Sequence, residues 1–227
     1  MSSSTTDREE SNVPTRVGLI SDIHGNHIAL QAVLEDMGTV DALVCAGDVV
    51  GYGPSPDRCL QTIRDRDIPT VQGNHDRGVG QGECYESGGE YAREVLSDEE
   101  TSWLQDLPRQ QTLFDGRLKM VHDHPEKRNK YTTPALFDPD LLDDEDILVL
   151  GHTHIQHVEE FDTGTVVNPG SVGQPRDGKT SAAYGIVDLE ERTVELHRVP
   201  YDIYRVEIRI RDTSISNKNG DRLSKGK

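Results

Sequence analysis

The chain has 227 residues, 33% hydrophobic and 5% aromatic, with a formal charge of −17 from 41 acidic and 24 basic side chains. That size suits one domain with a substantial core, and the acidity argues against a nucleic-acid-binding surface, which needs a basic face to meet phosphates. No apolar run approaches the length of a membrane span, and the polar start Met1 to Asn12 lacks a signal-peptide core, so the chain is expected to be cytoplasmic, with no membrane partner.

Residues 1–14 read as a disordered leader, 15–211 as a single domain, and 212–227 as a polar flexible tail. Within the domain, strand 16–21 leads to a helix near 27–37 whose apolar face is Ile28, Leu30, Ala32, Val33, Leu34 and Met37. Strand 42–46 follows, with Cys45 as a small core residue. A Gly-Tyr-Gly-Pro loop then leads to a helix near 56–66, opened by Pro56. A third strand over 69–73 precedes a glycine-rich stretch from Gly78 to Gly89 and two short helices, 90–96 and 98–106, the second with Ser97 and Glu100 at capping-box spacing. The second half is strand-rich, at 111–114, 117–121, 147–151, 157–161, 164–168, 182–188 and 193–199, with hairpin turns at Asp162-Thr163-Gly164 and at Glu190-Glu191-Arg192. The fold class expected is α/β, two sheets packed as a sandwich with helices on the outer faces.

The three cysteines, Cys45, Cys59 and Cys84, form no CxxC pair, so a reducing compartment fits better than a disulfide or zinc-knuckle scaffold. Asp outnumbers Glu and Lys is scarce outside the C-terminal end; we read this as adaptation to a salty cytoplasm, where screening weakens self-repulsion.

Chemistry concentrates where the apolar runs stop. Asp22, Asp48 and Asn74 each end such a run and stand 26 residues apart. That is the rhythm of βαβ units, whose ligands gather beyond the carboxyl ends of the strands. Asp22 and His24 pair a hard oxygen with a borderline nitrogen. In Asn74-His75-Asp76, a neutral Asn limits the charge on one ion, His75 is placed to reach a substrate, and Asp76 to orient that imidazole or stabilise its protonated form. His122 follows one strand, and Gly151-His152-Thr153-His154 follows another. The last two histidines converge if the chain curls at Gly151; a strand-interior pair on one face fits the same spacing.

Taken together these segments resemble the calcineurin-like metallophosphoesterases, whose ordered blocks D-x-H, G-D, G-N-H-D/E, H and G-H-x-H all occur between residues 22 and 154. The stretches from Ser21 to Asn26, Gly47 to Pro54 and Asn168 to Arg176 are similar to the small bacterial and archaeal phosphodiesterase-like branch, so the resemblance covers about residues 16–205. It implies that Asp22, His24 and His154 hold one divalent metal, that Asn74, His122 and His152 hold a second, and that Asp48 bridges the two. His75 would face the phosphoryl group, supported by Asp76. The implied activity is hydrolysis of phosphodiester or phosphomonoester bonds of a small-molecule substrate by a metal-activated water. The metals implied are two, manganese first, with iron, nickel or zinc as alternatives.

A scaffold that keeps the fold only for protein binding is the competing reading; filled ligand positions and the presence of His75 count against it. His124 departs from the branch pattern, and a solvated loop residue is the reading favoured over a substrate contact or a pH-sensitive neighbour. His27 and His157 match no ligand position and read as structural. Arg176 reads equally as a phosphate contact or a salt-bridge partner of Asp177 or another neighbour. Oligomeric state, a homo-oligomer included, is not legible in the sequence.

Overall fold

The computed structural model describes residues 13–227; the expected leader lies, up to residue 12, outside them. Strand β1 (Arg16–Ile20) pairs in parallel with β2 (Ala42–Cys45), and helix α1 (His27–Asp36) connects them. Asn26 caps α1 by accepting from the Ala29 amide. Helix α2 (Pro56–Asp65) follows β2, with Pro56 in the first turn, where its missing N–H costs nothing.

The third strand expected over 69–73 shrinks to a single bridge between Cys45 and Thr70. The Gln72 amide already turns to the Pro108 carbonyl, at 2.7 Å, so the ladder has no next rung. The glycine-rich stretch is partly helical: helix α3 (Asn74–Gln81) begins at Asn74 and carries Gly78 and Gly80 inside it. Their low helix propensity hides α3 in the sequence, whereas packing against α5 (Asp98–Asp106) holds it in place. Between them lies α4 (Ser87–Val95). The capping box of α5 is present, with the Ser97 amide donating to Glu100 and the Glu100 amide to Ser97 Oγ.

The remaining strands are β3 (Gln110–Leu113), β4 (Leu118–Val121), β5 (Ile147–Val149), β6 (His157–Phe161), β7 (Gly164–Asn168), β8 (Ala182–Asp188) and β9 (Thr193–Val199). They complete two sheets, one ordered β2-β1-β8-β9 and the other β3-β4-β5-β7-β6. In the first, β1 is antiparallel to β8; in the second, β4, β5 and β7 run parallel. Alternation along each strand sends Val17, Leu19, Val44 and Val187 inward against Leu118, Met120, Ile147, Val149 and Val167. The opposite face of the first sheet, with Ile20, Cys45 and Tyr184, packs on Leu30 and Val33 of α1 and Leu60 and Ile63 of α2. The outer face of the second sheet, with Val121, Leu148 and Val166, is covered by Phe137, Leu141 and Leu142. The expected two-sheet α/β sandwich is the fold observed.

The C-terminal end departs from expectation. Residues 212–227 are not a flexible tail: α6 (Ile203–Arg211) is followed by α7 (Asn217–Leu223), and Val206, Ile210, Ile215 and Leu223 close a small core with Tyr91 and Tyr201. Four apolar side chains spread over eighteen residues of polar sequence are too dilute to read as a core until the helices fold together.

The functional consequence of the sandwich lies at one rim. The carboxyl ends of β1 and β2 meet those of β4, β5 and β7. Gly151 N to His122 O at 2.8 Å and Asn168 Nδ2 to Gly151 O at 2.6 Å tie the ends of the second sheet together, and Ser171 Oγ to Asp22 O at 2.7 Å and His152 N to Asp22 Oδ2 at 3.1 Å reach across to the end of β1.

Candidate active site

Asp22 and His24 leave β1, Asp48 leaves β2, His122 leaves β4, and His152 and His154 follow β5. Asp22, His24, Asp48, His152 and His154 all adopt left-handed backbone, with φ of 52°, 49°, 55°, 67° and 59°. Such conformations are rare outside glycine and gather where function constrains the chain. They also decide between the two readings of His152 and His154: the chain curls, and the pair does not belong to a strand. Gly151 serves that curl through space, because a Cβ there would stand 2.2 Å from Ser21 Oγ and 3.0 Å from Asp22 Oδ2.

The curled segments bring buried donors face to face. His154 Nε2 is 3.2 Å from Asp22 Oδ1, and His24 Nε2 lies 3.6 Å from Asp22 Oδ1 and 3.7 Å from Asp48 Oδ2. His122 Nε2 is 3.2 Å from Asp48 Oδ2. Asp22, His24 and His154 form one cluster whose donor atoms could surround an ion; Asp22, Asp48 and His122 form another. Asp48 therefore stands between the His24 side and the His122 side.

Whether a cation fits can be judged from the tautomers. His24 Nδ1 donates to Val50 O (3.1 Å), His154 Nδ1 to Gln174 O (2.6 Å) and His122 Nδ1 to Ala46 O (2.7 Å). Carbonyl anchors of this kind leave Nε2 as a lone pair in the neutral ring. Yet the Nε2 atoms of His24 and His154 face each other at 3.0 Å. Asp22 Oδ1, Asn74 Oδ1, His122 Nε2 and His152 Nε2 are buried with no hydrogen-bond partner. Two opposed lone pairs and four orphaned donors are costly in a protein interior unless a cation satisfies them, so this donor set fits a divalent metal.

The electrostatics agree. Burial opposes ionisation of Asp22, but His154 and His24 hold its carboxyl well below the usual range; burial likewise opposes ionisation of Asp48, and His122 and His75 pull its carboxyl down. Burial alone would lower His122, but the Asp48 charge outweighs it and raises the imidazole to about 10. Two buried carboxylates thus demand positive charge, which a proton on His122 supplies when no metal does.

Two residues have a different place from the one expected. The Asp76 carboxylate makes no hydrogen bond to the His75 ring, although its charge helps to raise the His75 pKa. It accepts from the amides of Asp48 (2.7 Å), Gly73 (3.1 Å) and Val50 (3.2 Å), so it braces the strained loop that carries Asp48. His75 instead turns Nδ1 toward Glu86, at 3.6 Å, while its amide donates to Asp48 Oδ1 at 2.8 Å. Burial lowers the His75 pKa, and Asp48 and Glu86 more than restore it, so it is raised on balance. Sequence reasoning passed over Glu86. Its only local signal is its helix-capping position before Ser87-Gly88-Gly89, where its carboxylate accepts from the Gly88 and Gly89 amides at 2.6 and 2.7 Å.

The other candidates resolve individually. His124 is buried, with Nδ1 accepting from the Glu126 amide, rather than solvated. Arg176 has no bond to Asp177, which pairs with Arg198; its guanidinium donates to Gln174 Oε1 at 2.9 Å and lies 5.3 Å from the centroid of the Tyr52 ring. His27 opens α1, and His157 opens β6 and pairs with Glu159. A cleft of about 350 Å³ opens beside Asn74, His75 and His152. A larger surface depression, about 880 Å³, lies beside Asp57, Arg64 and Trp103 and contains none of these groups.

A two-sheet sandwich that gathers buried Asp, Asn and His donors at the carboxyl rim of parallel strands is an α/β enzyme of the metal-dependent class. Residues 15–192 match the family model described as the calcineurin-like phosphoesterase superfamily domain. The chain is 33% identical to an uncharacterized protein of Methanocaldococcus jannaschii, MJ0912, over 95% of this chain and all of the relative. It is 31% identical to phosphodiesterase YfcE of Escherichia coli, over 77% of this chain and 88% of that protein. The crystal structure of a metallophosphoesterase from Sphaerobacter thermophilus superposes with a TM-score of 0.82 at 29% identity, covering 94% of this chain and 99% of that one. The chain belongs to the calcineurin-like phosphoesterase superfamily, and it is a metal-dependent phosphoesterase.

Proposed function

We propose that the protein hydrolyses phosphodiester bonds, and phosphomonoester bonds secondarily, of small molecules at a dinuclear metal centre. Asp22, His24 and His154 hold one ion, Asn74, His122 and His152 the other, and Asp48 is shared. The observation that carries this reading is the set of orphaned donors on both sides of Asp48: Asp22 Oδ1 on one, Asn74 Oδ1, His122 Nε2 and His152 Nε2 on the other. A single ion would leave one of these sides unsatisfied. Manganese comes first among the candidate metals because mixed oxygen and imidazole donors suit it, with iron, nickel and zinc behind.

When bound, two such ions supply an activated water and neutralise charge on the phosphoryl oxygens. The chain does the rest. Asp76 holds the Asp48 loop in its strained form, and the carbonyls of Val50, Ala46 and Gln174 fix the imidazole tautomers. Glu86 orients His75 and favours its protonated form, leaving Nε2 to meet a phosphoryl or leaving-group oxygen. The phosphodiesterase name carried by the Escherichia coli relative supports the diester preference. The charge of −17 supports a small substrate over nucleic acid and fits a cytoplasmic setting.

The test is a panel of cyclic nucleotides, dinucleoside polyphosphates and bis(p-nitrophenyl) phosphate with protein reconstituted in several divalent metals. His75→Ala is expected to keep its metal and lose about 10²- to 10⁴-fold in turnover. Full activity in that variant removes His75 from the chemistry, and a metal content of one ion per chain at saturation removes the dinuclear centre.

A further inference from the structure

The cleft beside the metal-type cluster has walls that the hydrolytic chemistry does not require. This chain has only seven tyrosines, and three of them, Tyr52, Tyr85 and Tyr131, line this one cleft. Tyr85 and Tyr131 are 64% and 55% exposed, among the most exposed large hydrophobic side chains in the described residues. Solvation leaves large aromatic rings uncovered at a cost, so two open rings in one concavity point to a ligand that covers them.

Tyr131 is positioned with care. Its ring stacks on His152, centroids 4.1 Å apart and planes 25° apart, which leaves the other face to the cleft. The loop that carries it is tied down rather than free. Thr132 Oγ1 donates to Asp123 O at 2.8 Å, the Asn129 amide donates to the Asp123 carboxylate, and Arg77 reaches Asn129 Oδ1 at 2.8 Å. A preorganised aromatic face loses little entropy when a ring settles on it.

Position adds a second observation. Asn74, His75 and His152 line the same cleft, so the aromatic faces stand directly beside the donors proposed to act on a phosphoryl group. Aromatic faces for a planar ring next to a phosphoester site describe a nucleotide.

We propose that the cleft is a nucleobase subsite, in which the base of a nucleotide-type phosphoester stacks on Tyr131 and Tyr85 while its phosphate lies at the His75 and His152 end. This rests on the phosphoesterase reading and narrows it to one substrate class. The cleft volume of about 350 Å³ suits one base and its sugar; small-ligand pockets span roughly 300–1,000 Å³.

The test compares AMP with ribose 5-phosphate, which share phosphate and sugar and differ by the base, in calorimetric titrations of the metal-loaded protein. Stacking of a base on aromatic side chains predicts that AMP binds about tenfold tighter or better. In Tyr131→Leu and in Tyr85→Leu the ratio of the two affinities should fall at least about threefold, and Tyr131→Phe should restore it. Equal affinities in the unaltered protein, or a gap that survives both leucine substitutions, overturn the proposal, as does failure of both ligands to bind. If bis(p-nitrophenyl) phosphate is hydrolysed in any of those cases, the phosphoesterase reading stands and only the base subsite is lost. A base-dependent gap without turnover of any phosphoester sinks the activity instead and leaves a nucleotide-binding site.

Discussion

Replacing Asp76 with alanine separates two accounts of that residue. It is fully buried, and its two oxygens accept three backbone amides, those of Asp48, Gly73 and Val50. Truncation leaves three buried N–H groups without acceptors, each costing about 1–3 kcal/mol. The sum is about 3–9 kcal/mol, and relaxation of the loop reduces it toward the lower end. Part of the loss falls on Asp48, whose φ of 55° is held by those bonds, so metal affinity should fall along with stability. Urea unfolding with a parallel measurement of metal content makes the check. The expected result is a midpoint shift equivalent to at least about 3 kcal/mol together with weaker metal binding. A variant that keeps its stability and both metals but loses turnover would refute the bracing role and return Asp76 to service of His75.

Gly151→Ala puts a Cβ 2.2 Å from Ser21 Oγ; overpacking of that kind costs about 1–3 kcal/mol and should break the Ser21–Asp22 hydrogen bond, read as a loss of metal affinity by titration. In the metal-free protein His122 has a pKa raised to about 10 against an ordinary 6.5, so its contribution to stability is full below about pH 6.5 and is lost as pH rises toward 10. Thermal unfolding of metal-free protein should show that decline, and metal binding at pH 8 should release a proton, measurable from the buffer dependence of the calorimetric heat. Leu223→Ala removes a buried side chain of α7 and should cost about 2–5 kcal/mol in urea unfolding; no change would show that this end of the chain adds nothing to the fold.

Much of the site can be read in one dimension because the fold places function at strand ends. Asp22, Asp48 and His122 each follow an apolar run, so the run marks the strand and its end marks the candidate ligand. The exchange of Glu86 for Asp76 beside His75 was hidden for a different reason. Asp76 is next to His75 in the chain, but the first turn of α3 carries its carboxylate toward the amides of the neighbouring loop, whereas Glu86 returns from the start of α4. A helix begins at Asn74 despite Gly78 and Gly80, and neighbouring residues on a helix do not face each other.

The sequence alone pointed to the sandwich, most of its strands and the candidate donors, because hydrophobic period and residue chemistry are local properties of the chain. The tertiary structure decided which donors face one another, that the Asp76 carboxylate accepts from the amides of Asp48, Gly73 and Val50, and that residues 217–223 fold back as a helix beside Tyr52 and Glu86. Those outcomes depend on left-handed turns and on contacts between segments up to 167 residues apart, distances over which no local pattern carries information.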